Sequence, residues 1–286
     1  MNEKTFTSDI IADSINPDGQ RVTSFLLTYP RFIHSELMTH RAFSRNAASS
    51  RAIPIEKQIE QVTTNPAMPV RWGKNGKGMQ DHGAFEGDEE ATAKEYWGWA
   101  AAAAVEQARE LSNLGLHKQI VNRVLEPFVW MTTLVTATQF ENFFSLRVHK
   151  DAQPEFQHLA YMMLKRYLAN KPEAKGWGEW HVPFGDKMTD GLDNATKLKV
   201  ATARAARTSY LTMDSKIDIA KDVDLHDRLA ESGHWSPFEH AAIAEQGRGG
   251  NFNGWKQYRQ MFPNENRKCD LQKLLEEYEL SMEQYE

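Results

Sequence analysis

Residues Arg21–Tyr29 alternate, placing Val22, Ser24, Leu26 and Thr28 on one side and Thr23, Phe25, Leu27 and Tyr29 on the other. Apolar side chains fall on both sides, which is the pattern of a strand covered on both faces. Pro30 cannot donate to a sheet ladder and ends it. Directly afterwards comes His34–Arg51, where three Arg, two His and four Ser are interleaved with small side chains that cannot hide them. Arginine offers a planar fork to phosphate or to an electron-rich ring edge, and serine hydroxyls complete an anion cradle. This segment is expected as a helix. Its composition fits an anion-gripping surface, and also the solvated basic face of a helix.

The chain of 286 residues is 41% apolar, with eight Trp and fourteen Phe, enough for a sizeable core in one large domain or two modest ones. Its net charge of −5 comes from mixed acidic and basic residues, which argues against a duplex nucleic-acid surface and for a small nucleotide in a local basic pocket. A single cysteine, Cys269, excludes a disulfide framework within the chain and a Cys-rich zinc site, and suits a reducing compartment. No basic start with an apolar run is present, and no stretch nears about eighteen apolar residues, so a soluble, cytoplasmic protein without a membrane partner is expected. His34-Ser35-Glu36 has the H-x-E form of zinc deaminases, but the P-C-x-x-C run is missing, so no metal site is expected. The Gly73–Gly78 and Gly247–Asn251 runs lack the Gly-Lys-Ser/Thr or strand context of phosphate loops and read as plain loops.

Residues Val62–Gly87 read as a long loop of the kind that orders on binding. Asp88 is a candidate N-cap for a helix to Asn113, stopped by Gly115. A further helical stretch is expected from His117 to Leu146, broken near Pro127. Another begins at Pro154, with Phe156, Leu159, Ala160, Met163, Leu164 and Tyr167 on one face. Lys171–Asp193 reads as a connector or lid. Asn194–Tyr210, capped by Asn194, and Asp222–Ser232, stopped by Gly233, read as two more helices. Asp270–Glu286 reads as an acidic docking helix.

Several short motifs point one way. Thr39-His40-Arg41, Ser44, Asn46, Ser49 and Arg51 match R-H-R-x-x-S-x-N-x-x-S-x-R at every fixed position but the first. Ser236-Pro237-Phe238-Glu239-His240 follows S-x-x-E-H, and Ala206-Arg207-Thr208-Ser209-Tyr210 follows A-R-x-S-[YF]. Asn142 through Arg147, with Asp151 through Glu155, follow N-x-x-x-L-R…A-Q-x-E. Arg123 through Pro127 keep the Arg-to-Pro spacing of R-x-x-L-P, with Glu126 in place of leucine. Taken together, the chain resembles the flavin-dependent thymidylate synthases. A Glu-His pair after proline is otherwise an ordinary helix start, and Arg123 and Arg147 could instead pair with carboxylates such as Glu126 or Glu141.

In that family the S-x-x-E-H box precedes the signature, whereas here it follows by about two hundred residues, so the resemblance implies a circular permutation. One domain spanning 1–286 is expected, with 1–172 matching the family's later portion, 173–193 a connector, 194–263 its early portion and 264–286 the acidic helix. The implied fold is α+β, like the thymidylate synthase complementing protein: helix-rich, around a central antiparallel sheet, with motifs in permuted order.

The implied reaction moves a one-carbon unit from methylenetetrahydrofolate to C5 of dUMP, giving dTMP, with FAD as cofactor and NADPH as reductant, in a homotetramer. By the resemblance Arg147 and Ser49 are catalytic, and Glu36, Ser49, Ser50, Arg51, Arg123 and Arg147 bind substrate. His40, Arg41, Ser44, Asn46, Asn142, Ser209, Glu239 and His240 hold the flavin. A guanidinium beside the uracil edge stabilises charge on O4, N3 and O2 as C5 becomes nucleophilic, and Arg147 is the candidate. Thr39, Glu36 and Ala47 depart from the family pattern and cluster on the nucleotide side. Arg45, left free by the pattern, is a candidate to restore the charge missing at Thr39. A pyrimidine-nucleotide hydroxymethylase and a non-catalytic nucleotide- or RNA-binding descendant are the competing readings.

Overall fold

The structure, a computed structural model, describes residues 5–185, 189–208, 218–266 and 268–282. Strands β1 (Thr7–Ile15) and β2 (Arg21–Pro30) form an antiparallel hairpin. Its turn is fixed by Asn16 Oδ1, which accepts from the backbone N–H groups of Asp18 and Gln20, and by Gly19 at φ +77°. A 3-10 turn at Arg31–Ile33 and one short helix, α1 (His34–Leu37), lead into β3 (Ser44–Ala47). The signature segment is therefore a turn and a strand, which corrects the expected helix. Its alanines and serines suit either form, and pairing of Ser44, Arg45, Asn46 and Ala47 with β4 (Trp130–Ala137) decides between them.

Between β3 and β4 lie α2 (Ile55–Thr64), α3 (Asp88–Asn113) and α4 (Lys118–Leu125), which share a core of Ile59, Val62, Ala101, Val105, Val121 and Leu125. Helix α3 ends at Asn113 as expected, with Gly115 at φ +84° just beyond it, but its N-cap is Gly87, and Asp88 is instead the first of three acidic residues in the first turn, where their charge suits the helix dipole. The segment after α2 is anchored: the Arg71 guanidinium grips both Asp81 oxygens at 2.7 and 2.9 Å, and Glu155 Oε1 accepts from the Val70 N–H at 2.9 Å. The helical stretch expected from His117 to Leu146 is broken by β4. Thr132, Thr133, Val135 and Thr136 are β-branched and fit a pleated, fully paired strand better than a helix.

After β4 come α5 (Glu141–Arg147) and α6 (Pro154–Ala169), and then β5 (Glu173–Ala174), which pairs parallel to β1. The sheet order is β3-β4-β2-β1-β5, antiparallel except at that short edge. The chain is thus α+β around a largely antiparallel sheet. Helices α5 and α6 cover one face, where Phe25, Leu27 and Tyr29 of β2 meet Phe140, Phe143, Phe156, Leu159 and Met163.

A second sheet covers the opposite face. It consists of β6 (Trp180–His181), β7 (Ala242–Gly249) and β8 (Phe252–Gln257), and Val22 packs on its Ala242, Ala244, Phe252 and Trp255. Both faces of β2 are therefore buried, as its alternation requires. Ahead of β7 run α7 (Asn194–Ala206) and α8 (Ile219–Ser232), whose caps are Asp193 and Asp218, one residue before Asn194 in the first case. Arg207 and the buried Asp222 form an ion pair that ties the end of α7 to α8. The last described helix, α9 (Leu271–Met282), buries none of its residues. Among the described residues no helix is long and apolar enough to cross a membrane.

Candidate functional site

The signature strand β3 sits between two partners that are remote in sequence. Across the sheet, Ser44 pairs with Thr136 of β4. From outside it, the 3-10 turn Ser236–Glu239 packs on β3. The two motifs, separated by some two hundred residues of chain, are thereby brought together.

Ser44 Oγ accepts from Gln257 Nε2 at 2.9 Å, and the same amide reaches Glu239 O at 3.0 Å and Asn251 Oδ1 at 2.9 Å. Asn251 Nδ2 in turn donates to Ala42 O at 2.9 Å. Asn46 Nδ2 donates to Ala205 O at 3.3 Å, joining the strand to α7. His240 Nδ1 meets Thr136 Oγ1 at 2.9 Å, and Arg259 holds Glu239 at 2.6 Å. Three polar atoms in this cluster, Asn46 Oδ1, His240 Nε2 and Arg259 Nε, are buried without a hydrogen-bond partner among the described residues, and of these Arg259 Nε still has the Glu265 carboxylate at 3.4 Å. Native interiors seldom leave such atoms unpaired, so this is where a polar ligand group fits.

A second cluster surrounds Arg147. Its Nε–H donates to His40 Nε2 at 3.0 Å, which requires the hydrogen of that imidazole to sit on Nδ1. Burial, then the charges of Arg147 and Arg45, push His40 down to about 4, so the ring is neutral near pH 7. Arg147 also reaches Glu36 at 3.4 Å and Thr39 Oγ1 at 3.5 Å, and its guanidinium lies 4.9 Å from the Phe156 ring centroid. Burial raises the Glu36 carboxyl while Arg147 opposes that rise. A partly exposed pair of this length is worth about 1 kcal/mol at most, so a ligand anion can replace Glu36 at Arg147 cheaply.

The third cluster centres on Glu126. Its Oε1 forms an ion pair with Arg31 at 2.8 Å and accepts from Arg123 at 2.8 Å and from Ser50 Oγ at 3.0 Å. Asn122 Nδ2 bonds Ser50 O at 2.7 Å and fixes the turn carrying Ser49, Ser50 and Arg51, in which the Arg51 N–H meets Ser49 Oγ at 3.3 Å. Of the two carboxylates weighed as structural partners, Glu126 does pair with Arg123, whereas Arg147 takes Glu36 and not Glu141. Arg45 donates to Met38 O at 2.6 Å, at the end of α1, so it serves the local backbone.

Arg41 and Asn142 are exposed, and neither side chain joins these clusters. Ser209 lies outside the described residues. Sequence reasoning missed Thr136, Gln257, Asn251 and Arg31. The first is an ordinary strand residue in composition, and no local pattern marks the others. Only the pairing of β3 with β4 and the return of β8 reveal them.

Two solved structures of the UMP/dUMP methylase PolB from Streptomyces cacaoi, bound with 5-Br dUMP and with 5-Br UMP, are similar at TM-score 0.49, with 17% and 18% identity, over 57% of this chain and 90% and 89% of theirs. No curated protein matches. The family model described as thymidylate synthase complementing protein matches residues 20–173, more than half of the 286. That stretch runs from β2 through α6 and contains all three clusters' signature residues, and the chain belongs to the thymidylate synthase complementing protein family.

Proposed function

We propose that this chain transfers a one-carbon unit from methylenetetrahydrofolate to C5 of dUMP, with FAD as cofactor and NADPH as reductant. One observation carries the reading: β3 and the Ser236–His240 box meet at Thr136, and each brings a buried polar atom without a hydrogen-bond partner, Asn46 Oδ1 on the strand and His240 Nε2 at the box. The flavin, when bound, supplies the redox chemistry that converts the transferred carbon to a methyl group. Ser44, Asn46, Glu239 and His240 would hold it, with Arg41, His40, Asn142 and Ser209 as further contacts. In this reading the motifs are in permuted order, with 194–263 returning to complete a site begun by 1–172.

Arg147 stabilises the charge that builds on the uracil ring as C5 attacks, acting electrostatically and without a covalent step. His40 accepts from its Nε–H and so aims the guanidinium, while Glu36 yields its place to the ring edge. Ser49, Ser50, Arg51 and Arg123 hold the phosphate and thereby orient the ring. Small-molecule partners, a homotetramer and a cytoplasmic location belong to the same reading.

Purified protein should be yellow, or become so with added FAD. Incubation with dUMP, methylenetetrahydrofolate and NADPH, followed by mass spectrometry, should give dTMP. A hydroxymethylated product would replace the methylation reading with its alternative, and a colourless protein that cannot be reconstituted would leave the nucleotide-binding one.

A further inference from the structure

A continuous line of hydrogen bonds crosses the space between the two sheets. Ser14 Oγ lies 2.9 Å from His181 Nδ1, and His181 Nε2 lies 2.9 Å from Ser24 Oγ. Ser24 Oγ lies 2.6 Å from Thr136 Oγ1, which lies 2.9 Å from His240 Nδ1. None of the five side chains is more than 3% exposed. At the far end, His240 Nε2 has no partner among the described residues. Desolvation holds both rings neutral, pushing His181 and His240 down to about 3.

A neutral imidazole has one N–H and one acceptor nitrogen, and a hydroxyl has one hydrogen. Two arrangements pass the hydrogens in one direction along the whole line. In the first, His240 Nδ1–H donates to Thr136, Thr136 to Ser24, Ser24 to His181 Nε2, and His181 Nδ1–H to Ser14. His240 Nε2 then presents a lone pair. In the second, every donor becomes an acceptor and His240 Nε2 presents an N–H. Both arrangements contain the same number of hydrogens. Opposite tautomers either set the lone pairs of Ser24 and Thr136 against each other or strand the hydrogen of one of these two fully buried hydroxyls in the middle of the line, whereas the one-directional arrangements leave only an end hydrogen, on Ser14 or on His240 Nε2, outside it; the desolvated middle penalises the former.

We propose that Ser14, His181, Ser24 and Thr136 are positioning residues for His240: they fix which of its nitrogens carries the hydrogen, and so whether Nε2 meets a bound ring edge as acceptor or donor. A carbonyl oxygen or bare ring nitrogen selects the N–H form, and a ring N–H selects the lone pair. The proposal rests on the reading that His240 faces the flavin only for the identity of that ring. His181, remote from every candidate contact, reports the choice.

Long-range proton–nitrogen spectra of the full chain labelled with 15N-histidine read the tautomer of each ring. His181 and His240 should carry the same tautomer, both Nδ1–H or both Nε2–H, and added FAD should switch both or neither. Ser14→Ala removes the outer acceptor, so both rings should be Nε2–H in that variant. Ser24→Ala cuts the middle, and His181 should then ignore FAD. Opposite tautomers in the unsubstituted protein, a change at His240 alone on FAD addition, or a Ser14→Ala protein whose His240 keeps its Nδ1 hydrogen would each overturn the proposal. Quenching of flavin fluorescence in the same samples reports binding: its absence defeats the flavin reading, while matched tautomers in the ligand-free protein still decide the chain of hydrogen bonds.

Discussion

Arg147 is held by His40, Glu36 and Thr39 and backed by Phe156, so its guanidinium is aimed before any ligand arrives. Preorganised charge of this kind is worth about a hundredfold or more in rate. Arg147→Ala should therefore lower kcat for dTMP formation by about that factor while the flavin absorption of the purified protein is kept, and unaltered turnover would remove Arg147 from the reaction. Glu126 presents the opposite case. Its carboxylate already occupies the donors Arg31, Arg123 and Ser50 that a phosphate would use. Glu126→Gln keeps an acceptor for those donors and removes the repelling charge, so KM for dUMP should fall by about tenfold, or roughly 1.4 kcal/mol. An unchanged or higher KM would place the phosphate elsewhere.

At the scale of elements, the strand at Arg21–Tyr29, helix Asp88–Asn113 and the helix from Pro154 were legible because period and punctuation agree there. Apolar residues recur on both sides of the strand, Gly115 closes one helix and Pro154 opens another. Leu159 is fully buried between α6 and β2. Leu159→Ala should cost about 2–5 kcal/mol, read as a lower urea midpoint at constant slope. Strand β4 was hidden because Trp130–Ala137 follows α4 with only a 3-10 turn at Pro127 between, which reads as a break within one helical stretch, although Thr132, Thr133, Val135 and Thr136 are β-branched. The signature also read as a helix: its strand form is imposed by a partner about ninety residues away in sequence. The motif residues themselves could be read from the chain. Gln257, Asn251 and Thr136, which lock them together, could not, because their roles exist only after the sheets pack. Helix α9 buries nothing, so a chain ending at Asp270 should keep the thermal midpoint of the full one, and a clear drop would show that α9 docks.

Across the whole molecule, His34 and His40 titrate at about 4 and His181 and His240 at about 3, each lowered chiefly by burial from an ordinary value of 6.5. The unfolded chain therefore binds more protons than the folded one below about pH 6.5. Stability contributed by these neutral rings is complete above that pH and is lost as the pH falls toward 3. The urea midpoint should decline steadily over this interval, and a flat profile would show that the rings are not desolvated as described. The two sheets enclosing His181 and His240 also join the early and late stretches of the chain, so the site depends on the return of 194–263 to the signature strand. The direct measurement is a titration with FAD, followed by fluorescence, of the unsubstituted protein and of Asn46→Ala and His240→Gln with circular dichroism confirming their folds. Each substitution should weaken binding by about tenfold or more; FAD held equally well by all three proteins, or by none, would contradict a flavin cleft shared between the signature strand and the distant box.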